Sequence, residues 1–364
     1  MRRFAMGCVL LFAASASAAA RLAPAPGDAA GLTALPTRVG GRAVADGAAG
    51  FRRQWPGTYF ETGFRGTAAF FRVGAGDVIL HVMVDDAPIG TLVKPAPGLY
   101  RLDDLAPGAH RLRVEVTSES QAAPTAFGGF LAATGTMPVA LAAKARRIEF
   151  VGDSHTVGYA NTSHKQECTT DEVWATTDSS AGLGPRLARH YDADYRIDAI
   201  SGRGVVRNYN GFAADTLPRA YPFALFDHSA RADDAGWRPQ VIVIALGTND
   251  FSTALHDGEL WKTRDALHAD FEATYVRLVQ MLRARDPHAF IILWATEKAD
   301  GEIEAEVSRV VAALRAKGET RLAYVPIDGL AFSACHSHPS LADDAAIADR
   351  LAAVIDARHD VWRD

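Results

Sequence analysis

The chain has three cysteines in 364 residues, almost no imbalance of charge and one short apolar run near its start. Three cysteines cannot staple a small disulfide scaffold, so the fold must rest on hydrophobic cores. Lys and Arg number 38 against 43 Asp and Glu, for a formal charge of -5. That balance leaves no footprint for a polyanion and argues against nucleic-acid binding. The apolar run, residues 4–12, is too short to span a bilayer. It follows Met1-Arg2-Arg3 and precedes small residues at 15–20, the layout of an export signal, with cleavage expected after Ala18 to Ala20. Cys8 has too little hydrophobic sequence before it for a lipoprotein anchor. The expectation is a secreted or periplasmic monomer with no membrane partner. Metal ligands are also sparse: His336-Ser337-His338 is a close pair with no obvious third ligand nearby, and no metal or cofactor is expected.

What is present divides in two. The length suits two domains, and the texture changes along the chain. Residues 1–20 read as the signal and 21–37, rich in Ala, Pro and Gly, as a flexible lead. From 38 to 141, short segments alternate with turn signals such as Gly74-Ala75-Gly76-Asp77 and Asp85-Asp86-Ala87-Pro88, the spacing of an antiparallel β-sandwich of the jelly-roll kind. Leu80, Val82 and Val84 alternate with His81 and Met83, and Leu112, Val114 and Val116 with Arg111, Arg113 and Glu115, so each sheet has one buried face. Tyr59, Phe60 and Phe64 read as core or sheet-edge residues in preference to a sugar-facing platform. From 142 to 364, strands at 148–151, 195–199, 241–245, 290–294 and 321–326 alternate with helical patterns at 182–191, 268–285, 302–317 and 341–355. This pattern predicts a three-layer α/β domain around a parallel sheet. The stretch 201–240 shows no clean helix, and a loop of that length leaving a strand end is expected to wall the active site.

Four blocks fall at the ends of apolar runs. Gly152-Asp153-Ser154 ends the first predicted strand, and 200–204 (Ile-Ser-Gly-Arg-Gly), 245–250 (Ala-Leu-Gly-Thr-Asn-Asp) and 336–339 (His-Ser-His-Pro) follow in order. The carboxyl ends of strands are where open α/β sheets place their chemistry. Each block alone has a bland reading: Ser154 or Asp153 as a helix cap, and Asn249-Asp250 as a turn. Acyl transfer needs a nucleophile, a base and rigid donors for the oxyanion. A serine hydroxyl and a histidine near neutral pKa supply the first two.

These blocks, in this order, resemble the SGNH (GDSL-like) hydrolase superfamily. The resemblance implies Ser154 as nucleophile, His338 as base and the Ser154 amide, Gly202 and Asn249 as oxyanion contributors, with His336 the nearest competitor for the base. Asp153 reads as a turn-former, His155 as an unremarkable and exposable neighbour, and Asp250 as satisfying local amides. The flanks are narrower still: 149–154 followed by Gly158-Tyr159, then 201–208 and 245–252, look like carbohydrate esterase family 2. That family implies a sandwich before the SGNH domain and a carbohydrate acetyl esterase acting on acetylated polysaccharides or oligosaccharides. A lipase or thioesterase on other esters, and a non-catalytic polysaccharide-binding protein, are the alternatives.

One departure matters. Superfamily members commonly carry an aspartate three residues before the histidine, where this chain has Cys335. A backbone carbonyl could then orient His338, or a carboxylate from elsewhere, Asp328 or Asp343. In an oxidising compartment Cys168 and Cys335 are candidates for one bridge, with two free thiols the alternative.

Overall fold

Ile148 and Phe150 alternate with Glu149 and Val151 along strand Arg146–Gly152, and all four are buried, because helices cover both faces of the sheet they join. The computed structural model describes residues 20–27, 29–47 and 50–363, so the expected export signal lies outside the described residues apart from Ala20. The sheet has five parallel strands in the order Ala193–Ala199, Arg146–Gly152, Val241–Ala245, Phe290–Thr296 and Leu322–Ile327. The chain runs outward from Arg146–Gly152 in both directions. That strand's carboxyl end is therefore the topological switch point at which such sheets bind ligands.

Side-chain alternation sorts the strands' residues between two cores. Ile242, Ile244, Ile291 and Leu293 face helices Arg264–Arg285 and Glu302–Ala316. Val241, Val243, Ile292 and Trp294 face helices Leu183–His190 and Leu341–Asp356. Burying a side chain of this size is worth about 1.5–3 kcal/mol, so the sheet is the stability centre of this domain.

Residues 21–141 form two antiparallel sheets around a third core that includes Phe60, Phe64, Phe71, Leu112, Val114 and Phe127. The expected lead at 21–37 is corrected here. Strand Arg21–Pro24 pairs with Gly98–Asp103, and Thr33–Leu35 pairs with Thr125–Ala132, which buries Leu35. Ala and Pro residues obscured two short edge strands whose partners lie far along the chain. Phe60 and Phe64 are core residues, as expected, whereas Tyr59 turns to the other domain and packs its ring on Tyr195 with centroids 4.9 Å apart.

The two domains are fastened by buried polar groups. Arg42 pairs with Asp198 at 2.7 Å and lies between the rings of Trp55 and Tyr221. Arg38 reaches Asp194 at 2.7 Å, and the Trp55 indole donates to the Phe223 carbonyl at 2.9 Å. The stretch 201–240, expected to be without a clean helix, holds a short helix, Leu217–Ala220, and a single 3-10 turn, Tyr209–Gly211. The polar stretch after Ser154 likewise contains helix Thr170–Thr176, started by a reciprocal capping box between Thr169 and Glu172.

Candidate active site

Ser154 opens the short helix Ser154–Val157 directly after strand Arg146–Gly152, with Asp153 as its cap accepting from the His155 amide at 3.1 Å. The turn is tight. A Cβ at Gly152 would lie 2.0 Å from Thr156 Oγ1, so only glycine fits. Across the switch point, the loop before helix Leu341–Asp356 presents His338, whose Nε2 is 2.9 Å from Ser154 Oγ. Asn161 ties the two together. Its carbonyl accepts from the Leu341 amide at 3.0 Å, and its side chain donates to Asp344 at 2.9 Å.

The other face of the imidazole fixes the tautomer. Nδ1 faces the carbonyls of Cys335 at 3.0 Å and His336 at 3.2 Å. A carbonyl oxygen only accepts, so Nδ1 carries the proton and Nε2 keeps its lone pair toward the serine hydroxyl. Burial pushes the imidazole down to about 4, with the Lys298 charge acting in the same direction and the two carbonyl bonds opposing it. Lys298 is held there by donating to the Ser337 carbonyl at 2.8 Å.

Neither expected carboxylate alternative reaches the base. Asp343 accepts from Ser340 N, Ala331 N and Phe332 N, and so caps the last helix and pins the preceding loop. Asp328 lies beside Glu304, and its carbonyl accepts from Arg350 at 2.9 Å. His336 has both ring nitrogens engaged, Nδ1 with the Tyr159 hydroxyl and Nε2 with the Cys168 carbonyl, each at 3.0 Å. Cys168 and Cys335 form a disulfide, which joins the loop after Ser154 to the loop that carries His338.

The oxyanion candidates converge from two further strand ends. Gly202 follows strand Ala193–Ala199 with φ of +82°, a conformation that glycine adopts without strain. Among the described residues its N–H and that of Ser154 meet no protein acceptor. Asn249 lies in helix Thr248–Phe251, behind Gly247 at φ +123°. Its amide nitrogen donates to Arg203 O at 2.9 Å and to Asp153 Oδ2 at 3.2 Å, and so links the Gly202 loop to the Ser154 turn. Asp250 accepts the amides of Val205, Val206 and Arg207 at 2.9 Å each, which fixes the loop's far side. Burial raises Asp153 to about 7 and Asp250 to about 6.

His155 departs from expectation. It is buried between Trp294, Phe332 and His338 and meets the base edge-on at 5.5 Å. Desolvation holds it well below the ordinary imidazole range, so it packs as a neutral ring. Tyr159 covers His338 with ring centroids 4.2 Å apart. Beside this pair a cavity of about 950 Å³ opens between the domains, lined in part by Glu119, Gln121, Tyr159, Trp174, Ser201 and His336. Tyr159 links this cavity to Ser154 and His338: its ring packs on His338 and its amide donates to the Ser154 carbonyl at 3.1 Å. The positions of His155, Lys298, Glu119 and Gln121 are set by contacts distant in sequence and carry no motif by which the sequence could have marked them.

Comparison with known proteins places this arrangement. Residues 150–355 match the GDSL-like lipase/acylhydrolase family, and residues 39–141 match the carbohydrate esterase 2 N-terminal family. Fold and site therefore define a two-domain serine ester hydrolase of the GDSL-like class. The chain is 42% identical over 333 residues to an acetylxylan esterase / glucomannan deacetylase of Cellvibrio japonicus, covering 90% of this chain and 92% of that one. The chain belongs to carbohydrate esterase family 2. It is also 31% identical over 315 residues to the cellulase/esterase CelE of Acetivibrio thermocellus, spanning 83% of this chain but 37% of that longer protein. A solved family two carbohydrate esterase from Clostridium thermocellum, in complex with cellohexaose, superposes with a TM-score of 0.78 at 28% identity, covering 88% of this chain and 98% of that one. No helix among the described residues is long and apolar enough to cross a membrane.

Proposed function

We propose that this chain removes O-acetyl groups from plant polysaccharides or their oligosaccharides by acyl transfer through Ser154, with His338 as base. The observation that carries the reading is the 2.9 Å contact between Ser154 Oγ and His338 Nε2 on an imidazole whose Nδ1 faces only carbonyls. Ser154 Oγ attacks the acetyl carbonyl while Nε2 takes its proton. The developing oxyanion is received by the Ser154 and Gly202 amides, and by Asn249 once its longer bond to Asp153 is exchanged. His338 then returns the proton to the departing sugar hydroxyl, and water repeats the sequence on the acetyl-serine. Each oxyanion donor of this kind is worth about 3 kcal/mol.

The reading extends to the whole chain: an exported monomer, residues 1–20 removed, with a sandwich domain to about 141 and the catalytic domain from 142 to 364. The carbohydrate part of the reading is supported by the likeness to an acetylxylan esterase / glucomannan deacetylase. The test is acetate release from acetylated xylan and acetylated glucomannan, set against hydrolysis of 4-nitrophenyl esters of lengthening acyl chain. Acetyl esters should be turned over fastest. A preference for long acyl chains would reject the carbohydrate reading in favour of a lipase-like one.

A further inference from the structure

Two side chains of the sandwich domain reach the loop that carries Gly202. Glu119 and Gln121 lie in the turn that follows strand Gly108–Val116. Glu119 Oε1 accepts from the Ser201 amide at 2.8 Å. Gln121 Nε2 donates to Glu119 Oε1 at 3.0 Å and to the Ser201 carbonyl at 3.0 Å. The Ser201 carbonyl belongs to the same peptide group as the Gly202 N–H. On the far side, the Gly202 carbonyl accepts from Tyr209 N at 2.9 Å. Three consecutive peptide planes are therefore pinned, and the N–H left without a protein acceptor is that of Gly202.

We propose that Gln121 and Glu119 are positioning residues for the oxyanion hole, by which the sandwich domain sets the orientation and donor strength of the Gly202 amide. This rests on the reading of Gly202 as an oxyanion donor. A hydrogen bond to a peptide carbonyl fixes the plane of that peptide and polarises its N–H, so a bond on one side strengthens donation on the other. An oxyanion donor stabilises the transition state only as far as it is held in place before the charge appears. Left to itself, a glycine at φ +82° is the residue most free to turn its peptide away. Packing does not account for the pair. Gln121 is exposed and Glu119 half-buried, and the domains are fastened elsewhere by Arg38, Arg42, Trp55 and Tyr59.

The test compares wild type with Gln121→Met, Gln121→Glu and Glu119→Gln on an acetylated xylo-oligosaccharide. It adds inhibition by an alkyl boronic acid, whose tetrahedral adduct with the nucleophilic serine puts an oxygen in the oxyanion hole. Gln121→Met should lower kcat about tenfold with KM within about twofold and unchanged melting temperature, and should weaken boronate binding by a similar factor. Gln121→Glu sets a carboxylate against the Ser201 carbonyl and should lose roughly a hundredfold. Glu119→Gln keeps an acceptor oxygen for Ser201 N but removes the charge that strengthens the bond, and should lower kcat and boronate affinity roughly threefold, less than Gln121→Met does. Wild-type kcat and boronate affinity in both Gln121 variants would overturn the proposal, as would a loss confined to KM or melting temperature. Ser154→Ala, run alongside, separates the two levels. If it is inactive while the Gln121 variants are normal, the positioning role alone fails; if it is active, the acyl-transfer reading fails and takes this proposal with it.

Discussion

His338 Nδ1 lies 3.0 Å from the carbonyl oxygen of Cys335, the residue that stands where an aspartate would complete a triad. The carbonyl selects the tautomer as an aspartate would, but it brings no negative charge to the imidazolium formed during attack. On the proposed reading the catalytic unit is a dyad with a backbone orienter, since the Asp328 and Asp343 side chains are engaged elsewhere. Asp328→Asn and Asp343→Asn should keep turnover within about tenfold of wild type, while His338→Ala collapses it. Asp343→Asn should lose about 1 kcal/mol of stability through its cap. A thousandfold loss of turnover in either folded Asn variant would identify a third catalytic member.

The Cys335 carbonyl is held in turn by the disulfide to Cys168, and the next amide, His336 N, donates to Gln166 O at 2.7 Å. Opening the bridge removes the covalent half of that anchorage. Cys168→Ala, which leaves the Cys335 carbonyl in the chain, should cost about 2–5 kcal/mol in denaturant unfolding. It should also lower turnover by about tenfold or more through a looser base. Dithiothreitol should reproduce both effects in the wild type. Reduced protein with full turnover would show that the bridge only staples the fold.

Burial sets the pH response. His338 works only when neutral, and the fraction neutral rises with pH through its pKa. Because desolvation lowers that pKa from 6.5 to about 4, kcat/KM should hold steady down through pH 6 and fall only as the pH approaches 4. Removing the nearby positive charge in Lys298→Met should move this acid limb upward, since that charge now disfavours the imidazolium. A wild-type limb centred at or above 6.5 would contradict the burial argument.

The interdomain contact predicts joint unfolding. Arg42 and Asp198 are both nearly inaccessible to solvent, at 2% and 0% exposure, so truncating one leaves the other's charge buried without a partner. Arg42→Ala should destabilise by about 3–5 kcal/mol, and calorimetry of the wild type should show one transition in place of two. Separate transitions that Arg42→Ala leaves unmoved would mean the domains are held apart.

The sequence made some of this legible and hid the rest for physical reasons. Strand Val241–Ala245 was readable because a strand covered on both faces is a continuous run of apolar residues, and Ser154 because its block is the first of four that fall in order at the ends of apolar runs. Strands Arg21–Pro24 and Thr33–Leu35 were hidden because short edge strands depend on distant partners, here Gly98–Asp103 and Thr125–Ala132. His155 could not be read as buried, since nothing in its neighbours announces that Trp294 and Phe332, well over a hundred residues on, close over it. The orienter of His338 is not legible in the sequence because every residue has a carbonyl, and only geometry tells which one is aimed. Glu119 and Gln121 are hidden for a similar reason: an ordinary turn in one domain meets an ordinary serine in the other.

The central claim is that Ser154 carries the acetyl group. Acetate released from acetylated xylan by wild type and by Ser154→Ala, at equal concentrations of protein with matching circular dichroism and melting temperature, tests it most directly. The account predicts that the variant loses at least about a hundredfold in turnover, since the nucleophile itself is removed while the oxyanion donors and the cleft remain. Acetate release undiminished in folded Ser154→Ala would contradict it.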